Sequence, residues 1–215
     1  MYKYEAVIFD LDGVICKTDK YHYLAWKHIA DELNIEFNQE INKRLLGVSR
    51  MESFDIILEK YQGQMTDKEK IKWTDQKNEY YRSMLSQMSP DDILPGVKEV
   101  MESLRCDGIK LGLGSSSKNA KYILHQIQLD DYFDGVCDGN DITHSKPNPE
   151  VFVKTAQLLQ CEASRCLVVE DAIAGIEAAH AGCMDCAAFG SIAISSLKAE
   201  YNIHAFSDLL AVFHK

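Results

Sequence analysis

Ala6-Val7-Ile8-Phe9-Asp10-Leu11-Asp12-Gly13-Val14 decides how this chain is read. Four consecutive apolar residues mark a strand buried on both faces, as in a parallel sheet. Two carboxylates follow at i and i+2, so both can point into the crevice where the strand ends. Gly13 then lets the chain turn sharply away. Free aspartic acid titrates near ~4, so two neighbouring carboxylates at neutral pH need a cation or a shared proton. A divalent metal satisfies one and leaves the other to carry a proton. Taken alone, the same residues also suit a strand ending in a solvated turn.

Outward from that stretch, short apolar runs alternate with amphipathic segments. Runs at 109–113, Gly135–Cys137, 166–169 and 186–189 are predicted as further buried strands. Val97, Val100, Met101 and Leu104 form one helical stripe, and Ala120, Ile123, Leu124 and Ile127 another. Asn148-Pro149 predicts a capped helix start running through Phe152, Ala156 and Leu159; Gly182 predicts the end of a helix through Ile176 and Ala179. Strand–helix alternation of this kind specifies an α/β fold with a doubly wound parallel sheet.

The stretch from Thr18 to Met88 breaks the alternation, with four helix patterns and no strand. Leu24, Ala25, His28, Ile29 and Leu33 share one predicted face, and Met51, Phe54, Leu58 and Tyr61 another. Ser49-x-x-Glu52 and Thr66-x-x-Glu69 read as capping boxes. Residues 17–88 are therefore expected to be a small helical domain inserted after the first strand. Residues 1–16 and 89–215 would form the sheet domain, with Ser89-Pro90 and Pro95-Gly96 marking the return.

Chemistry-bearing residues recur at the predicted strand ends. Glu170-Asp171 follows Leu167-Val168-Val169, and with the first two aspartates would make an all-oxygen site suited to magnesium. Ser115-Ser116-Ser117-Lys118-Asn119 follows the run at 109–113, where hydroxyls and backbone N–H groups at a helix start can hold an anion. Lys146, in Ser145-Lys146-Pro147, would offset phosphate charge. Each has an ordinary explanation by itself: acids favour a helix N-terminus, and lysines favour the surface. Their coincidence at the C-terminal ends of successive strands is what argues for one crevice. The chemistry that fits is phosphoryl transfer to a carboxylate, with Asp10 as nucleophile and Asp12 carrying the proton. Magnesium would be held by Asp10, the Asp12 carbonyl and Asp171, with Ser115 and Lys146 on the remaining phosphoryl charge.

Bulk properties set limits. With 33 acids against 23 bases in 215 residues, the formal charge of −10 disfavours nucleic acid and anionic membranes as partners. No run approaches 18 uncharged apolar residues, and the first residues do not resemble a secretory signal. A soluble cytoplasmic monomer is expected. The seven cysteines lack framework spacing and are expected to act as small hydrophobes; Cys183-x-x-Cys186 has no second pair to complete a zinc site.

The strand-end D-x-D-G-V, Ser115, Lys146 before proline and the late Glu170-Asp171 resemble the four motifs of the haloacid dehalogenase superfamily, and the helical insert resembles its small cap domain. Along nearly its full length the chain is similar to the β-phosphoglucomutases of that superfamily. The matches are Thr18 and His22 before Trp26, Gly47-Val48-Ser49-Arg50, Lys77-Asn78, Ser117-Lys118-Asn119 and Ser145-Lys146-Pro147. The resemblance implies a magnesium-dependent mutase interconverting β-glucose 1-phosphate and glucose 6-phosphate through an aspartyl phosphate and a bisphosphate intermediate. It implies Asp10, Asp12, Thr18, His22, Ser115 and Lys146 as catalytic residues, and Asp10, Asp12, Glu170 and Asp171 around the metal. Substrate binding would fall to Trp26, Gly47, Val48, Ser49, Arg50, Ser53, Lys77, Ser116, Ser117, Lys118 and Asn119. His22 would position Asp12, and Arg50 would hold the phosphate that is not reacting. The chain departs from the family pattern at Lys17, where an acid is usual, and at Leu46, where a lysine is usual. A sugar-phosphate phosphatase of the same superfamily is the alternative reading.

Overall fold

The computed structural model describes residues 3–45, 48–190 and 194–213. The chain divides into two compact units: Met1–Lys17 together with Ser89–Lys215, and Thr18–Met88.

The first unit is built on a six-stranded, all-parallel sheet. Its strands are β1 (Ala6–Phe9), β2 (Lys110–Gly114), β3 (Gly135–Cys137), β4 (Cys166–Glu170), β5 (Asp185–Phe189) and β6 (Tyr201–Ile203). Their order across the sheet is β3-β2-β1-β4-β5-β6. The chain thus winds from β1 to one edge, returns to β4 on the other side of β1, and continues to the opposite edge. The sheet is doubly wound, and its switch point lies between β1 and β4.

Alternation along β1 divides the core between two faces. Ala6 and Ile8 join Cys137, Cys166, Val168, Cys186 and Ala188 in one cluster with Val151, Phe152, Ile176 and Ala179. The last four belong to α7 (Glu150–Leu158) and α8 (Ile173–Ala181), which cover this face. On the other face Phe9 stacks on Phe206 at 5.7 Å. Helices α5 (Val97–Cys106) and α9 (Asp208–Phe213) pack together there. Burial from both sides is why every residue of β1 and β4 is buried. The stripes on α5 and on α6 (Ala120–Gln126) are buried as their periodicity predicts. Strand β6 was not predicted, because three residues with one buried position carry no periodic signal.

Two helix ends differ in detail from the sequence reading. Helix α7 begins at Glu150, with Pro149 preceding it and Asn148 Oδ1 accepting the Glu150 N–H at 3.0 Å. Gly182 does close α8, but with φ −85°; the left-handed residue is Cys183, at φ 58°. Cysteines are not uniformly small hydrophobes either: Cys16, Cys137, Cys166 and Cys186 are buried, whereas Cys106 and Cys183 are exposed.

The second unit is helical: α1 (Asp19–Glu32), α2 (Gln39–Lys43), α3 (Arg50–Leu58) and α4 (Asp67–Leu85). Both capping boxes form, Ser49 with Glu52 and Thr66 with Glu69. Its core holds Trp26, Ile29, Ala30, Ile35, Phe37, Leu45, Phe54 and Ile57. The buried stripe of α1 is Tyr21, Ala25, Trp26, Ile29 and Ala30, so Leu24, predicted on it, is exposed. Trp26 takes that place because the larger ring buries more apolar surface. Helix α3 turns Ser53, Phe54 and Ile57 inward and ends before Tyr61. No helix among the described residues is long and apolar enough to cross a membrane.

Candidate active site

Asp10 sits one residue past β1, where its N–H donates to the Val169 carbonyl of β4 at 3.0 Å. That bond places the first carboxylate at the switch point of the sheet. From the loop after β3, the Lys146 Nζ reaches back to donate to Asp10 Oδ1 and Glu170 Oε1, each at 2.5 Å. All three groups are buried, with Lys146 only 6% and Glu170 only 1% exposed. The other Glu170 oxygen accepts the Ala172 N–H at 2.8 Å.

Burial alone would lower the pKa of Lys146, but the Asp10 and Glu170 charges outweigh it and hold the ammonium above the ordinary lysine range. Two carboxylates facing one ammonium leave negative charge in excess. Burial, reinforced by Asp10, accordingly raises the Glu170 carboxyl despite the opposing pull of Lys146. A dry, negatively biased group of oxygens is what a divalent cation seeks.

Gly13 is required twice over. Its φ is +85°, and a Cβ there would lie 2.1 Å from Asp171 Oδ2. The carboxylate of Asp171 thus packs directly on the backbone that follows Asp10 and Asp12. Asp10 and Asp171 are hard oxygen donors of the kind magnesium takes, one or two carboxylates with the rest of its shell from carbonyls, water and phosphate. Among the described residues no cluster of three or more acids, histidines or cysteines is arranged to hold a metal. Glu170, expected among the metal-binding acids, accepts from the Lys146 ammonium through one oxygen and from the Ala172 N–H through the other.

Ser115 follows β2 and is 1% exposed; its Oγ accepts the Ser117 N–H, and its own N–H donates to the Cys137 carbonyl. Ser116 Oγ accepts the Lys146 N–H at 3.4 Å, tying the serine loop to the lysine loop. Asn119 is buried and donates its N–H to Ser117 Oγ, while Lys118 is exposed and its carbonyl accepts from Asn140. Asp10, Lys146 and Glu170 therefore form one bonded set, with Asp171 on the adjoining backbone and the serine loop joined through Ser116.

The helical unit holds a second cluster. Lys77 is 3% exposed, and its Nζ lies 3.1 Å from His22 Nδ1. An ammonium can only donate, so Nδ1 accepts and the ring proton belongs to Nε2. Burial, then the charges of Lys77 and Arg50, lowers His22 well below the usual histidine range, which keeps it neutral. The same ammonium lies over the rings of Trp26 at 5.0 Å and Tyr81 at 4.5 Å. Arg50 opens α3 just after the Ser49 cap, and its Nη2 donates to Asn78 Oδ1 at 2.8 Å.

Other residues expected on the substrate stand differently. Trp26 is a core residue, stacked on Phe54 at 5.8 Å, and Ser53 is buried on the inner face of α3. Thr18 is fully buried before α1, and Val48 is exposed. Gly47 and the neighbouring Leu46 lie outside the described residues. Tyr81 and Asn78 were not singled out as site residues; the i+4 spacing of Tyr81 from Lys77 is the signal that would have found it.

Residues 7–189 match the model of the haloacid dehalogenase-like hydrolases. The chain is 42% identical over 180 residues to the beta-phosphoglucomutase of Bacillus subtilis (strain 168), covering 81% of this chain and 78% of that one. It is 31% identical to the fructose-1-phosphate phosphatase of Escherichia coli (strain K12), covering 85% and 95% of the two chains. The crystal structure of a beta-phosphoglucomutase from Clostridium difficile superposes with a TM-score of 0.90 at 35% identity, covering 98% of this chain and 97% of that one. The chain belongs to the haloacid dehalogenase-like hydrolase family.

Proposed function

We propose that this protein is a magnesium-dependent β-phosphoglucomutase, interconverting β-glucose 1-phosphate and glucose 6-phosphate through an aspartyl-phosphate enzyme and glucose 1,6-bisphosphate. The observation that carries the chemistry is the buried Lys146 ammonium gripping Asp10 Oδ1 while Glu170 anchors it from behind. Fixing Oδ1 sets the plane of the Asp10 carboxylate and leaves Oδ2 to attack phosphorus. The barrier to bringing a carboxylate to a phosphodianion is chiefly electrostatic, so a fixed cation beside the nucleophile lowers it.

Asp12 protonates the departing sugar oxygen and later takes the proton from the incoming hydroxyl. Ser115, with the Ser116–Lys146 contact beside it, would bind phosphoryl oxygens. Asp10, Asp171 and the Asp12 carbonyl would hold magnesium, which when bound neutralises charge on the transferring group. In the helical unit, Arg50 at a helix N-terminus offers a fork and a dipole to one anion, which suits a second phosphate. Neutral His22, with its proton on Nε2, would serve as a hydrogen-bond donor. The residues 1–16 and 89–215 would act as the phosphoryl-transfer core and 17–88 as its cap.

A second phosphate site is what separates a mutase from a hydrolase, and the identity to the Bacillus subtilis enzyme favours the mutase. The likeness to a fructose-1-phosphate phosphatase favours a sugar-phosphate phosphatase as the second reading. A phosphorus NMR time course decides between them. With magnesium, β-glucose 1-phosphate and a trace of glucose 1,6-bisphosphate, the mutase produces glucose 6-phosphate. Inorganic phosphate without glucose 6-phosphate would establish the phosphatase instead.

A further inference from the structure

Lys146 has a third neighbour besides its two carboxylates. Its Nζ lies 4.5 Å from the centroid of the Phe152 ring, on the first turns of α7. Phe152 is fully buried. The place its ring occupies exists because β2 ends in glycine: a Cβ on Gly114 would lie 2.8 Å from Phe152 Cδ1 and 3.1 Å from Cε1. An alanine there would press on the ring. The last strand residue before Ser115 therefore lacks a side chain where the ring passes.

We propose that Phe152 is a positioning residue that keeps the Lys146 ammonium in the crevice throughout turnover. The proposal rests on the aspartyl-phosphate reading above for its kinetic consequence, though not for its geometry. An ammonium over a ring face is attracted by the ring's quadrupole, and more strongly where water is excluded. The carboxylates alone cannot hold Lys146 constantly. When an Asp10 oxygen forms its bond to phosphorus, the carboxylate charge gives way to charge on the phosphoryl oxygens, so one arm of the ionic clamp shifts to new atoms at each transfer. Glu170 and the ring do not change. Phe152 thus supplies an attraction independent of the state of Asp10, which holds the cation in register with both the free and the phosphorylated enzyme.

The test uses the full-length protein with Phe152→Leu, which keeps an apolar side chain but removes the π face, and Phe152→Tyr, which keeps it. Leu159→Ala serves as a control for core loss at the opposite end of the same helix. In the unmutated protein the Lys146 Cε protons should resonate upfield of an ordinary lysine, because they lie by the ring. In Phe152→Leu that shift should vanish, and kcat should fall about tenfold with KM changed less than about twofold. Phe152→Tyr should recover most of each quantity. An ordinary lysine shift in the unmutated protein would overturn the proposal without any substitution. So would a tyrosine variant as impaired as the leucine one, or a Leu159→Ala variant that moves the Lys146 signals equally. If the unmutated protein forms no phosphoenzyme, the functional reading fails, and the lysine signals still decide the role of Phe152.

Discussion

Replacing Gly175 by alanine separates local helix preference from the demands of the site. Gly175 is the third residue of α8, where alanine ordinarily gains ~1 kcal/mol over glycine. Its Cβ, however, would lie 1.9 Å from both Cδ and Oε1 of Glu170. Ordinary contact would require the carboxylate to move by more than about 1 Å, out of a position that is 1% exposed. That shift strains two hydrogen bonds, one from Lys146 and one from Ala172 N–H, each worth roughly 1.5–3 kcal/mol when a charged group is involved. Breaking one side of a buried ion pair costs about 3–5 kcal/mol. Against the helix gain, a net loss of ~2–4 kcal/mol is expected, or roughly 5–15 °C in melting temperature. Both tryptophans, Trp26 and Trp73, lie in the helical unit, so tryptophan fluorescence would watch the wrong part of the molecule. The assay should follow urea unfolding by amide exchange at Phe9 and Val168, in β1 and β4. A Gly175→Ala protein stabilised by about 1 kcal/mol would show that Glu170 is not packed where this geometry puts it.

Asp10→Asn should keep the fold and lower turnover on the order of 10⁴-fold, because an amide is a poor nucleophile; phosphorus NMR showing retained mutase activity would contradict the assignment. Glu150 is held near about 2 by Lys154 and by the His144 and Thr143 N–H groups. A depressed carboxyl adds stability above its unfolded value, and that contribution is lost as pH falls from about 4.5 toward 2. Denaturation series should therefore show Glu150→Gln less stable than the parent at pH 7 and converging with it below pH 3; a constant gap would be wrong. His22 should remain neutral at pH 6 with its proton on Nε2, and Lys77→Met should raise its pKa by removing a neighbouring cation. Nitrogen-15 spectra showing the Nδ1–H form, or no shift in the variant, would contradict this.

The sheet was readable because a strand covered on both faces must be apolar throughout, and the residues just past it then stand out. Ala6–Phe9 and Gly135–Cys137 have the boundaries their runs predict. Where a segment is short or only half buried, that logic loses its grip: β6 carries one buried residue in three, and α1 could be read in two phases until Trp26 chose one. The site follows the same rule one level up. A strand end announces an acid, but not which partner it takes. Glu170 and Asp171 are adjacent in sequence and equally plausible beside a metal. Only the packing of a helix glycine, Gly175, against one of them turns it toward Lys146. Partners separated by 24 or 136 positions, as Lys146 is from Glu170 and Asp10, leave no local trace. What the sequence does record is the small residue that makes room: Gly13 for Asp171, Gly114 for Phe152, Gly175 for Glu170. Each marks a place where two elements approach too closely for a Cβ, and together they outline the same crevice that the acids suggest from the strand ends.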